Sequence, residues 1–143
     1  MEMKNSFGGT TEQEVLAFEQ KLNAQLPETY RQFLIRHNGD EPSNCYLAVP
    51  GWGDSLVNFF FGIGFTDFRS LERCLRSWVD VAENSRTIPI GADPGGNIFF
   101  IGVNDTNLGR VYFLDHEQFD EAPILIADSF MEFAAKLTTS TTR

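Results

Sequence analysis

A chain of 143 residues with 42% hydrophobic residues, 14 of its positions Phe, fits one domain with one core and leaves intrinsic disorder only for the ends. The 20 acidic against 11 basic residues give a net charge of −9, which argues against nucleic acid or an anionic membrane surface as the ligand, since both demand extensive clusters of Lys and Arg. A basic protein partner is the favourable electrostatic match, and solubility is the bland alternative. No apolar stretch approaches about 18 residues and no leader pattern opens the chain, so a soluble, cytoplasmic protein is expected. Cys45 and Cys74 form no CxxC pair and read as reduced, buried thiols.

Residues 1–143 read as a single domain, ordered from about residue 10 to 137, with the first residues and Thr138–Arg143 fraying. Thr11 and Glu14 form a capping-box spacing ahead of the apolar stripe Val15, Phe18 and Leu22, while Glu12, Glu19, Gln20 and Lys21 read as the solvated face. Pro27 opens a second helix carrying Tyr30, Phe33 and Leu34, stopped by Asn38-Gly39. Asp40 to Asn44 is a polar loop, Cys45 to Val49 a short strand, and Pro50 to Asp54 a turn holding Trp52. Val57, Phe59, Phe61, Ile63 and Phe65 alternate with Asn58, Phe60, Gly62 and Gly64, which predicts one long strand with a greasy face. Gly62 and Gly64 leave room there for a packed helix or a bulge.

Asp67 is the expected cap of a third helix with the stripe Phe68, Leu71, Leu75, Trp78 and Val79; Arg69, Arg73 and Arg76 make the chain's one basic cluster, read as solvated or paired with acids. Thr87 to Val103 is strand, turn, strand: a β-branched run, the turn Asp93-Pro94-Gly95-Gly96-Asn97, and the wholly apolar run Ile98 to Ile101, which belongs at the centre of the sheet. The loop Asn104–Gly109 leads to a strand Val111–Leu114, the acidic loop Asp115–Pro123 to a strand Ile124–Ala127, and Ser129 with Glu132 caps a last amphipathic helix carrying Phe130, Phe133, Ala134 and Leu137. Helices around a meander of short strands give an α+β domain with a mostly antiparallel or mixed sheet, and no internal repeat appears.

Catalytic patterns are weak. His37 sits in the last turn of a helix, where the negative dipole end explains it. His116 lies between Asp115 and Glu117, but no ligand spacing supports a metal, and the turn Gly91–Asn97 lacks the Lys and Ser/Thr of a phosphate loop. Asn104-Asp105-Thr106 fits a glycosylation acceptor pattern, which without a leader marks only an exposed loop. A hydrolase using Asp93, Asp115 and His116 is the enzymatic reading. It is set against a non-catalytic protein with no cofactor and no metal. The remaining signal is acidic loops interleaved with Tyr46, Trp52, Tyr112 and Phe119, a recognition composition.

Taken together the residues resemble a known family. Glu12 with Phe18-Glu19, then Leu26-Pro27-Glu28-x-Tyr30-x-x-Phe33-Leu34 and Asn38-Gly39, resembles the opening of the SMI1/KNR4 (SUKH) family. Ile88-Pro89-Ile90-Gly91-x-Asp93-x-x-Gly96-Asn97, Gly109-x-Val111-Tyr112-x-x-Asp115-His116 and Ser129-Phe130-x-x-Phe133 continue its pattern in the same order. Pro27, Tyr30, Asn38, Gly39, Pro89, Gly91, Asp93, Gly96 and Asn97 are the signature positions. The resemblance implies a central sheet flanked by N-terminal, middle and C-terminal helices, and a binding module. Many bacterial members look like immunity proteins that neutralise polymorphic toxins, often nucleases; fungal relatives are scaffolds in cell-wall regulation. Asp40 departs from the second Gly common after Asn-Gly, and Pro50–Phe65 is individual to this chain.

The leading expectation is an immunity protein that holds a cationic toxin domain on an acidic face, with a regulatory scaffold as the alternative. The residues expected at that face are Asp40, Glu41, Trp52, Asp54, Asp115, Glu117, Asp120 and Glu121. Asp93 and Asn97 read as turn formers whose side chains bond nearby backbone.

Overall fold

The computed structural model describes residues 1–43, 45–118 and 120–139. In chain order the elements are β1 (Met3–Asn5), α1 (Glu12–Leu22), α2 (Glu28–His37), β2 (Glu41–Pro42), β3 (Tyr46–Val49), β4 (Gly53–Leu56) and β5 (Phe59–Phe60). There follow α3 (Leu71–Ser77), α4 (Val79–Ser85), β6 (Thr87–Ala92), β7 (Ile98–Gly102), β8 (Val111–Leu114), a 3-10 turn His116–Gln118, β9 (Ile124–Ala127) and α5 (Phe130–Thr139). Of the expectations above, Phe119, Asn44 and positions 140–143 of the tail lie outside the described residues, as do the side chains of Thr138 and Thr139.

The fold is α+β. Five strands pair in the order β5-β6-β7-β8-β9, and two small ladders, β1-β2 and β3-β4, stand beside them. Every ladder among the described residues is antiparallel, with one isolated parallel bridge between Gly62 and Ser70. The centre of the sheet is β7, all of whose residues are buried, as its unbroken apolar run requires. Phe99 and Phe113 face each other across β7 and β8. Phe99 packs on Phe133 of α5 at 5.7 Å between ring centroids, and Phe113 on Trp52 at 4.7 Å, so α5 and the β3-β4 hairpin cover that face. Helices α3 and α4 pack on β6.

Caps fall where the sequence places them for the outer helices. Thr11 Oγ1 accepts from the Glu14 amide at 3.1 Å, and Ser129 Oγ from the Glu132 amide at 3.1 Å. Other expectations are corrected. Glu19 is not on a solvated face: it is buried, accepting from the Leu26 amide at 2.8 Å and from Arg31 Nε at 3.2 Å, because the chain doubles back over it into α2. The long strand Val57–Phe65 does not form. Phe59, Phe60 and Phe61 are all buried, so no face is left for water, and only Phe59–Phe60 pairs with β6. The third helix starts at Leu71, capped by Ser70 Oγ accepting from the Arg73 amide at 3.1 Å; Asp67 instead pairs with Arg69 at 2.6 Å. The helix also breaks at Trp78, and Phe68 and Val79 from its expected stripe are exposed. Gly53 and Asp54, read as the end of the turn Pro50–Asp54, open the strand Gly53–Leu56, and Met3–Asn5, expected to fray, pairs with Glu41–Pro42.

Candidate functional site

Three loops meet at one end of the sheet: the β3-β4 turn with Trp52, the β6-β7 turn with Asp93 to Asn97, and the segment that leaves β8 at Asp115. Side chains tie them together. Asp93 is buried and its carboxylate takes four hydrogen bonds: Oδ1 from the Gly95 and Asn97 amides at 2.9 and 2.8 Å, Oδ2 from Ser55 Oγ and Asn97 Nδ2 at 2.9 and 2.8 Å. Gly96 takes φ +91°, the left-handed conformation that closes this turn. With its amide nitrogen turned to Asp93, Asn97 presents its oxygen to His116 and accepts from both the His116 backbone amide (3.0 Å) and Nδ1 (2.8 Å). Nδ1 therefore carries the ring proton when His116 is neutral, and Nε2 faces outward 4.0 Å from Glu117 Oε1.

The outer layer is a second tie. Trp52 Nε1 donates to Asp115 Oδ2 at 2.9 Å, and the Glu117 amide donates to Asp115 Oδ1 at 2.9 Å. The indole bond first, and the Glu117 amide second, hold the Asp115 carboxyl below the usual carboxylate range. Trp52 keeps 39% of its surface exposed even while its ring lies on Phe113. Residues 45–58, 87–103 and 111–118, which supply all three loops, contain no Lys or Arg. Asp115 is bonded to the exposed indole, Glu117 to Asp115, and Asp54 lies on β4 two residues after Trp52; Asp120 and Glu121 follow in sequence along the β8-β9 connection.

Asp40 and Glu41 belong elsewhere. Asp40 is buried at 1% exposure, with Oδ2 accepting from Ser6 Oγ at 3.1 Å, Oδ1 from the Phe7 amide at 3.0 Å, and His37 Nδ1 at 3.0 Å from Oδ2. It is a fold residue and offers nothing to a partner, a correction to the expected set. Glu41 accepts from Asn5 Nδ2 at 2.7 Å in the β1-β2 pair.

The sequence matches the SMI1 / KNR4 family (SUKH-1) over residues 9–136, from the run into α1 almost to the end of α5. The chain belongs to the SMI1/KNR4 family. That family includes immunity proteins. Among its relatives, the SPbeta prophage-derived uncharacterized protein YokK of Bacillus subtilis (strain 168) is 29% identical over 147 residues, covering 89% of this chain and 74% of YokK.

Within this SUKH-1 chain the signature positions do structural work. Asn38 binds Ile63 on both sides, Nδ2 to the carbonyl at 3.0 Å and Oδ1 from the amide at 2.7 Å, which anchors the loop after β5 to the end of α2. Tyr30 packs edge-on against Phe130, joining α2 to α5. Among residues the sequence does not single out, Ser55 is the lock between hairpin and turn; its alternation with exposed Asp54 in a strand is the signal, hidden by the flanking glycines. As chemistry, the set is arranged to hold loops. Ser55 Oγ gives its proton to a carboxylate rather than to an imidazole, and burial pushes the Cys74 thiol up to about 12, far from a reactive thiolate. Among the described residues no group of three or more His, Cys, Asp or Glu side chains could hold a metal, and no helix is long and apolar enough to cross a membrane.

Proposed function

We propose that this protein is an immunity protein that binds the catalytic domain of a cationic toxin, a nuclease among the candidates, through the acidic loops around Trp52. The observation that carries the reading is the exposed indole of Trp52, fixed in place by Asp115 and Phe113, in loops whose segments carry Asp54, Asp115 and Glu117 and contain no Lys or Arg; Asp120 and Glu121, which follow in sequence, are added in this reading. An aromatic anchor held rigid before binding loses little freedom on contact, and an acidic surround speeds encounter with a basic surface. Membership of a family that includes immunity proteins and the likeness to a prophage-derived protein support the same reading. A regulatory scaffold with another partner is the second reading; it needs no acidic complementarity, and salt-insensitive binding would favour it.

Co-expression with the product of the adjacent gene tests the proposal. Cells carrying that gene together with this one are expected to survive, and survival is expected to drop when Trp52→Ala is combined with Asp115→Lys and Glu117→Lys. Equal killing with and without this protein, with no complex at low salt, would refute it.

A further inference from the structure

Between the β6-β7 turn, β5 and α3 lies a cleft of about 400 Å³. Its lining combines the apolar Phe59, Phe61, Phe68, Trp78 and Ile98 with several polar side chains, among them Arg73, which is exposed and so stands at the mouth. Phe59 meets both Phe61 and Phe68 edge-on at 5.1 Å between centroids, so the rings form one continuous apolar surface, yet Phe68 leaves 62% of its area in water. A solvated Phe ring walling an open apolar cleft is unfavourable in the isolated chain and is relieved when something covers it.

The charge at the mouth selects what covers it. Arg69 is spoken for, paired with Asp67 at 2.6 Å and lying over the rings of Phe7 and Phe65 at 4.2 and 4.5 Å. Arg73 has no such partner. In a chain with 20 carboxylates, no ion pair to Arg73 occurs among the described residues, and its guanidinium makes one long bond, Nη1 to the Thr66 carbonyl at 3.3 Å. Asp93, the carboxylate in the cleft lining, has both oxygens filled by four donors from the chain. The mouth therefore presents a guanidinium with unused donors above an apolar floor, which matches an apolar side chain next to a carboxylate.

We propose that this cleft seats an aromatic or branched apolar side chain of the partner protein, with an adjacent carboxylate of the same segment held by Arg73. This rests on the reading of the chain as a partner-binding domain and makes that contact two-part. Pro94 and Gly96 line the cleft, and a Cβ placed on Gly96 would lie 3.7 Å from the His116 ring, so one turn separates the cleft from the acidic loops. A partner whose basic surface meets those loops reaches the cleft across that turn.

The test uses small probes and needs no partner. N-acetyltryptophan, its uncharged amide and tryptamine are titrated into the isotopically labelled full chain, and backbone amide shifts are followed. Saturable shifts at Phe61, Cys74, Trp78 and Ile98 are expected with N-acetyltryptophan. The amide should bind about three- to fivefold more weakly and tryptamine more weakly still, the size of one exposed ion pair. Arg73→Gln should remove the difference between acid and amide while leaving the amide's affinity unchanged, and Asn58→Trp, at an exposed position on the lining, should weaken all binding with thermal stability retained. Absence of saturable shifts there, equal binding of tryptamine, or an acid preference that survives Arg73→Gln overturns the proposal. Because the toxin assay does not involve these probes, the cleft can fail while the immunity reading stands, and the reverse.

Discussion

Asn97 is bonded through both atoms of its amide, and each bond reaches a different part of the chain: Nδ2 to Asp93 inside its own turn, Oδ1 to two donors of His116 across the sheet end. Replacing it by Ala strands the His116 amide and removes one of the two donors to Asp93 Oδ2, leaving Ser55 Oγ there. Asn97→Ala should cost about 1–3 kcal/mol, and hydrogen exchange at His116 should quicken far more than exchange in β7. Uniform loss of protection would mean that the residue holds the core rather than the loop. Trp52 offers a second check. With the indole N–H bond removed in Trp52→Phe, the Asp115 carboxyl should titrate closer to its ordinary value, read from its carboxyl carbon shift. The sign follows from a depressed folded-state value: the stability this bond contributes is present above the unfolded pKa, about 3.9, and is lost as pH falls through the lower folded value. The variant should therefore lose a stabilising contribution that the parent retains until more acidic pH. An unmoved Asp115 titration would show that the bond does not persist in solution. At this scale the turn roles of Asp93 and Asn97 were legible, because Asp, Gly and Asn at those spacings bond their own backbone. The burial of Asp40 was not. Its neighbours in sequence are polar, and two of its three partners come from more than 30 positions upstream.

At the level of elements, local pattern and local structure agree best where one run serves one role. The β6-β7 hairpin follows from its sequence because a turn with fixed chemistry separates two apolar runs that are both fully buried. The segment from Val57 to Phe65 misleads because its alternation is real but its setting is not a two-faced strand. After Phe60 the chain turns into Asn38, and Gly62 is the point of closest approach. A Cβ on Gly62 would lie 2.6 Å from Asn38 Oδ1, from the Gly39 amide nitrogen and from a Phe65 ring carbon. Gly62→Ala is therefore expected to destabilise by about 1–3 kcal/mol through forced displacement of the α2 terminus, lowering the melting temperature by about 2–4 °C for each kcal/mol. A melting temperature unchanged within a degree would show that the loop yields freely. The same blindness hid the β3-β4 hairpin, where Gly51 sits in a tight turn and Gly53, which suggested that the turn runs on, already pairs with Val49.

For the whole molecule, charge was the most legible property and placement the least. Counting residues yields −9, but only the fold shows that Asp115 and Glu117 stand with Trp52 while Asp40 is spent inside. If the acidic loops steer a cationic partner, association should slow roughly tenfold or more as ionic strength rises from low to physiological values, with dissociation changing much less. Stopped-flow association with the adjacent gene's product measures this, and a rate indifferent to salt would point to the scaffold reading. Asp115→Lys with Glu117→Lys should flatten the salt dependence without altering the melting curve by more than a few degrees, since neither side chain is part of the core.

Residues 1–8 precede the stretch shared with the family, which begins at position 9. Yet they deliver the hydroxyl of Ser6 and the amide of Phe7 to Asp40, and the Phe7 ring to Arg69. The unit that folds thus reaches beyond the stretch matched to the family. A chain begun at Gly9 would keep every signature position and still leave an interior carboxylate short of two donors, a loss of several degrees in melting temperature. Asp40 and the segment ahead of position 9 thus depend on each other through one shared polar contact.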